Sequence, residues 1–118
     1  MLIFNNLEEM ESYYIAKINT YVFNDDITIS FHLKVGANID ARYINAKNIY
    51  ASDINALSIN AYNIDALNIL ARDINARDIV YWGVCIARQS FRCKSVKGRR
   101  ANSIHKCLDQ EIEFIKKD

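Results

Sequence analysis

The sequence predicts a mainly β protein that folds as a short β-solenoid, and three observations support this. Isoleucine recurs every five residues from position 39 to 79, and alanine follows the first eight of these isoleucines by two positions. Residues two apart in an extended chain point to the same side, so both residue types are expected to face inward. Apolar residues five apart would wander around a helix instead of forming a stripe. Asn and Asp flank most units and are expected at corners, where they tolerate left-handed backbone.

The length of 118 residues fits a single domain, residues 1–118, with four parts. Residues 1–20 predict a capping helix, with Asn6 as N-cap and Leu7, Met10, Tyr14 and Ile18 at helical spacing. Residues 21–36 predict a leading strand because apolar residues alternate there. Residues 37–80 are the regular coils, and residues 81–118 predict an irregular last coil with a metal-binding cap.

The repeat resembles the pentapeptide-repeat proteins over residues 36–80. That resemblance implies a right-handed, four-sided β-solenoid with four pentads per coil. The unit departs from the family's usual order, since the large Ile here precedes the small Ala. Four pentads per coil would stack residues 20 apart, and this step predicts that Cys85 lies beside His105 and Tyr62 beside Trp82.

A structural Zn²⁺ site is predicted from four residues of the C-terminal part. Cys85, Cys93, His105 and Cys107 are zinc-type ligands, and three thiolates with one imidazole form a common closed tetrahedral site. Such a site would add stability where the core is small. The other interpretation is that the cysteines are small buried hydrophobes beside a surface histidine.

Catalytic, membrane and secretory signals are lacking in the sequence. No nucleophile motif or glycine-rich phosphate loop occurs, so no enzymatic activity and no catalytic residue is predicted. No apolar run reaches the length of a membrane span, and the acidic start differs from a signal peptide. We therefore expect no membrane partner and a cytoplasmic location in a bacterial host.

The charge and the exposed apolar residues suggest two kinds of contact. Residues 81–118 carry nine basic and four acidic side chains, which fits nucleic acid, an acidic protein surface or only a solvated loop. Aromatic, Leu and Arg side chains on a rigid face suit a protein contact, unless another segment of the chain covers them. The predicted partner-binding residues combine both groups: Leu57, Tyr62, Leu67, Trp82, Lys94, Lys97, Arg99 and Arg100.

The "NINA" and "DINA" units, "CKSVKGRR" and "HKC" look like small proteins of phages and mobile elements. This resemblance implies an inhibitor of host nucleic-acid machinery, with an anti-CRISPR protein that blocks DNA loading by a type II effector nuclease as the preferred hypothesis. Direct nucleic-acid binding through the basic C-terminal segment, a self-assembling structural solenoid and a gyrase-interacting DNA mimic remain alternatives. Homodimerisation is left open.

Overall fold

The computed structural model describes residues 2–115, which form a parallel β-solenoid. This architecture is consistent with the resemblance to pentapeptide-repeat proteins. The thirteen strands among the described residues are β1 Leu2–Phe4, β2 Tyr14–Ile15, β3 Thr20–Val22, β4 Ile27–Ile29, β5 Leu33–Lys34, β6 Asn38–Ala46, β7 Asn48–Tyr50, β8 Asp53–Ala66, β9 Asn68–Tyr81, β10 Val84–Cys93, β11 Ser95–Gly98, β12 Ile104–Cys107 and β13 Glu113–Phe114.

The regular coils contain three pentads each, so the expectation of four pentads per coil is wrong. Ile39 pairs with Ile54, and Ile54 pairs with Ile69, which is a step of 15 residues. The solenoid therefore has three sides. We call them face 1, face 2 and face 3, after the columns of inward residues that begin at Ile39, Ile44 and Ile49.

The inward positions of the repeat form the core, as the pattern predicted. All nine isoleucines of the repeat are buried, and so are seven of its eight alanines, with Ala71 half-buried. Identical residues stack on each other in successive coils, as Ile44, Ile59 and Ile74 do on face 2. Each buried isoleucine contributes roughly 1.5–3 kcal/mol relative to an exposed one.

The Asn and Asp side chains join successive coils and do not support left-handed corners. Asn19 is the only non-glycine residue with positive φ in the part of the chain described. Instead, the Asn63 amide donates to the Asn48 carbonyl oxygen at 2.6 Å, and the Asn68 amide donates to Asp53 at 2.9 Å. The regular 15-residue step places these polar groups within hydrogen-bonding distance of each other.

The N-terminal cap differs from the predicted amphipathic helix. A 3-10 helix spans Leu7–Tyr13, and its N-cap is Asn6, whose side chain accepts a hydrogen bond from the Glu9 N–H. Met10 is its only fully buried residue, because the chain then leaves the helix for β2 and a second 3-10 helix, Ala16–Ile18. No helix among residues 2–115 is long and apolar enough to cross a membrane.

The last coil is wider than the regular ones, as the sequence indicated. Cys85 pairs with Ile69 below it and with His105 above it, so the step grows from 16 to 20 residues. Gly83 accommodates the first extra residue, since a Cβ there would collide with the Asn68 side chain. Tyr81 takes an alanine position and is fully buried.

Replacement of one stacked isoleucine should measure the strength of the core. Ile59→Ala removes a fully buried side chain between two other coils, and we expect the free energy of unfolding to fall by about 2–5 kcal/mol in urea titration. Asn60→Ala is the matched control on the exposed side of the same strand, and its effect should stay within about 0.5 kcal/mol. Equal losses in both variants would contradict the assignment of the two sides.

Candidate functional site

The residue after each alanine lies between two faces and forms an edge of the solenoid. The 15-residue step sorts these residues into three edges that differ in chemistry. The first edge, between faces 1 and 2, carries Arg42, Leu57, Arg72 and Arg88, and the second, between faces 2 and 3, carries Lys47, Tyr62, Arg77 and Lys94. The third edge, between face 3 and face 1 of the next coil, carries Ser52, Leu67, Trp82 and Arg99, and we call it the aromatic edge.

The predicted partner-binding residues are therefore not on one surface. Leu57 lies on the first edge, whereas Tyr62 and Lys94 lie on the second. The expectation that Tyr62 neighbours Trp82 is wrong, because it relied on the 20-residue step: the Tyr62 N–H donates to the carbonyl oxygen of Lys47 instead. Lys97 is on face 3, in register with Val80.

Three of the predicted residues do meet on the aromatic edge. Leu67 and Trp82 are consecutive along it, and the Trp82 N–H lies 3.2 Å from the carbonyl oxygen of Leu67. The Arg99 guanidinium lies 5.7 Å from the centre of the Trp82 ring. Arg100 follows in the turn after β11, where its N–H donates to Ser103.

A groove of about 210 Å³ runs beside this edge. Leu67 and Trp82 form one wall, Tyr50 and Asp65 the other, and small alanines the floor. Arg99 closes the end of the groove, because its Nη2 lies 3.3 Å from the Asp65 carboxylate. Tyr50 and Asp65 were not among the predicted site residues, since only the 15-residue step shows that they are adjacent.

The backbone holds the tryptophan firmly at this position. The Trp82 carbonyl oxygen accepts a hydrogen bond of 2.7 Å from the Ser103 hydroxyl, which ties it to the next coil. Gly83 follows at once, and its N–H donates to the Leu67 carbonyl oxygen at 2.8 Å. The ring is nevertheless 44% exposed, as are the Leu67 side chain at 46% and Tyr50 at 45%. The edge thus presents a preorganised apolar surface.

The four predicted zinc ligands are only partly brought together. Cys85 pairs with His105, as predicted, and Cys107 pairs with Ala87 on the same face. Cys93 ends β10 on face 2, where it pairs with Phe114 instead of approaching His105. The Nδ1 atom of His105 is already hydrogen-bonded, at 2.7 Å, to the Tyr81 hydroxyl.

The geometry does not fit a shared tetrahedral site. Among residues 2–115, no three His, Cys, Asp or Glu side chains are grouped so that they could hold a metal ion. Cys85 and Cys93 are fully buried. Burial raises the pKa of the Cys85 thiol far above its ordinary value, with a further contribution from Cys93, and raises that of Cys93 to about 11, with a further contribution from Asp78. Zinc remains a sequence prediction, which elemental analysis of protein purified without added metal tests directly.

No protein-family model, curated protein or solved structure matches this chain. The site is therefore interpreted from its own geometry.

The buried thiols predict a loss of stability at alkaline pH. Below about pH 9 the thiols are neutral in the folded and the unfolded chain, so their contribution is fully present. As the pH rises from the ordinary thiol pKa of 9.0 towards about 11, only the unfolded chain ionises them, and the free energy of unfolding should fall. Urea titrations between these pH values measure this slope.

The control for this experiment is the double variant Cys85→Ala and Cys93→Ala. It removes both thiols from the core, so its stability should depend less steeply on pH above 9. An unchanged slope would assign the alkaline loss to other groups, such as the buried Tyr81, whose pKa is also raised by burial.

Proposed function

We propose that this protein is a non-enzymatic binding module that docks a protein partner through its aromatic edge. The observation that carries the proposal is the grouping of Leu67, Trp82 and Arg99 beside Tyr50 on a rigid backbone. Trp, Tyr and Arg are the residues that most often dominate the binding energy of protein interfaces. A solenoid edge is preorganised, so little conformational entropy is lost when a partner binds.

The sequence resemblance favours a partner that processes nucleic acid in a bacterial host. In this proposal the protein acts stoichiometrically in the cytoplasm, as an anti-CRISPR inhibitor that hinders DNA loading by a type II effector nuclease. This partner rests on the "DINA" units, "CKSVKGRR" and "HKC", and not on the geometry of the edge. Docking through the edge and the identity of the partner are therefore tested separately.

Loss of the two apolar side chains should abolish docking. The double variant Leu67→Ala and Trp82→Ala empties one wall of the groove, and we expect the dissociation constant to rise by about 30-fold or more, the effect of losing one hot spot of about 2 kcal/mol. Binding to a purified type II effector nuclease with its guide RNA, and DNA cleavage in the same mixture, are the measurements.

Tyr62→Ala provides the matched control, because Tyr62 is an exposed aromatic residue on a different edge. It should leave binding and inhibition within about threefold of the unchanged protein. If Tyr62→Ala weakens binding as much as the double variant, the aromatic edge is not the docking surface. If the unchanged protein neither binds nor inhibits the nuclease, the anti-CRISPR assignment fails, while docking can still be tested on partners captured from the native host.

A further inference from the structure

Face 2 is bordered by two rows of basic side chains that the linear sequence does not reveal. The first edge contributes three arginines and the second edge contributes two lysines and one arginine. In each row the basic residues occupy every coil except the one that carries Leu57 and Tyr62. The six residues are Arg42, Arg72 and Arg88 on one side and Lys47, Arg77 and Lys94 on the other.

The surface between the two rows is flat sheet with neutral polar groups. Asn45, Asn60 and Asn75 stack in register along its middle, and Arg92 continues the column. The rows are five residues apart along the chain, hence at most about 17 Å, and successive coils are about 4.8 Å apart. The side-chain amides between the rows can donate hydrogen bonds but offer no aromatic platform.

The positive charge of this face is only partly neutralised. Arg72 and Arg77 contact Asp73 at 2.9 Å and Asp78 at 3.8 Å, and Arg92 contacts Glu113 at 2.8 Å. These pairs are solvent-accessible, so each contributes little and is open to replacement by another anion.

The remaining basic residues give face 2 its excess of positive charge. Lys47, Arg88 and Lys94 form no salt bridge with any residue from 2 to 115, whereas Asp25 lies beside Arg42, whose N–H donates to the Asp25 carbonyl oxygen at 3.4 Å. Acidic side chains of the central coils also lie on the other two faces, with Asp40 and Asp53 on face 1 and Asp65 on face 3.

We propose that face 2 binds the phosphodiester backbone of a nucleic-acid duplex. Two parallel rows of cations can contact the two phosphate strands that border a groove, and the major groove of B-DNA is about 12 Å wide. Single strands are usually held by stacking on aromatic side chains, which the middle of face 2 lacks. Contacts to phosphate carry no sequence information, so binding should be almost independent of sequence. The inference does not rest on the proposed function, because the aromatic edge lies elsewhere.

The test compares two charge-neutralised proteins. The face 2 variant replaces the basic residues that lack a carboxylate partner on the face itself, and the control replaces the same number on the other side of the solenoid, including the basic segment predicted from the sequence. The face 2 variant is Arg42→Gln, Lys47→Gln, Arg88→Gln and Lys94→Gln, and the control is Lys34→Gln, Lys97→Gln, Arg99→Gln and Arg100→Gln.

Fluorescence anisotropy with a labelled DNA duplex of mixed sequence gives the readout, across a series of salt concentrations. Each phosphate contact contributes about 0.9 to the slope of log affinity against log salt concentration, so loss of four contacts should reduce the slope by about 3 to 4. We expect the face 2 variant to bind at least about tenfold more weakly at low salt, while the control stays within about threefold. A charge-conserving variant, Arg42→Lys with Arg88→Lys, should retain binding, and circular dichroism checks that all proteins are folded.

Three outcomes would overturn the proposal. The unchanged protein binds no duplex even at the lowest salt, the control loses binding as much as the face 2 variant, or poly-glutamate competes as well as DNA per unit charge. The last result would assign the face to an acidic protein. A duplex RNA of equal length distinguishes which nucleic acid supplies the backbone, and tighter binding of single-stranded DNA would also contradict a duplex site.

Discussion

The structure depends on one constraint, the parallel register that places each pentad directly over the pentad 15 residues earlier. This register lets isoleucine stack on isoleucine inside the solenoid while backbone hydrogen bonds connect the coils. It also aligns the polar side chains outside, so that Asn48 and Asn63 bond to each other instead of to water. Because one coil cannot bury its apolar side alone, stability comes from stacking.

The same register determines which surface side chains meet. A step of three pentads returns every third unit to the same edge, and this brings Leu67, Trp82 and Arg99 together. It also separates them from the basic side chains, which occupy the other two edges. The protein therefore has two surfaces of different chemistry, one apolar and aromatic and one basic, held at fixed positions by a common core.

Departures from the regular step shape the C-terminal end. One extra residue at Gly83 and others after Ala87 widen the last coil, and bulky Tyr81 and Phe91 fill the wider core. Cys85 and Cys93 belong to this filling, on two different faces, and burial keeps them as neutral thiols. The 20-residue step between Cys85 and His105 occurs only here, which is why that pairing was predicted while the pairing of Tyr62 with Trp82 was wrong.

The sequence by itself determined the fold class and the two sides of each strand, because the spacing of Ile and Ala specifies which residues face inward whatever the number of sides. It also identified Asn6 as a helix cap, from a purely local signal. The number of pentads per coil was decided only in the tertiary structure, since three and four sides both keep Ile and Ala inside. Without that number, the sequence gives no information on which of Leu57, Tyr62, Leu67 and Trp82 share an edge, because neighbours on a solenoid surface are set by the length of the coil.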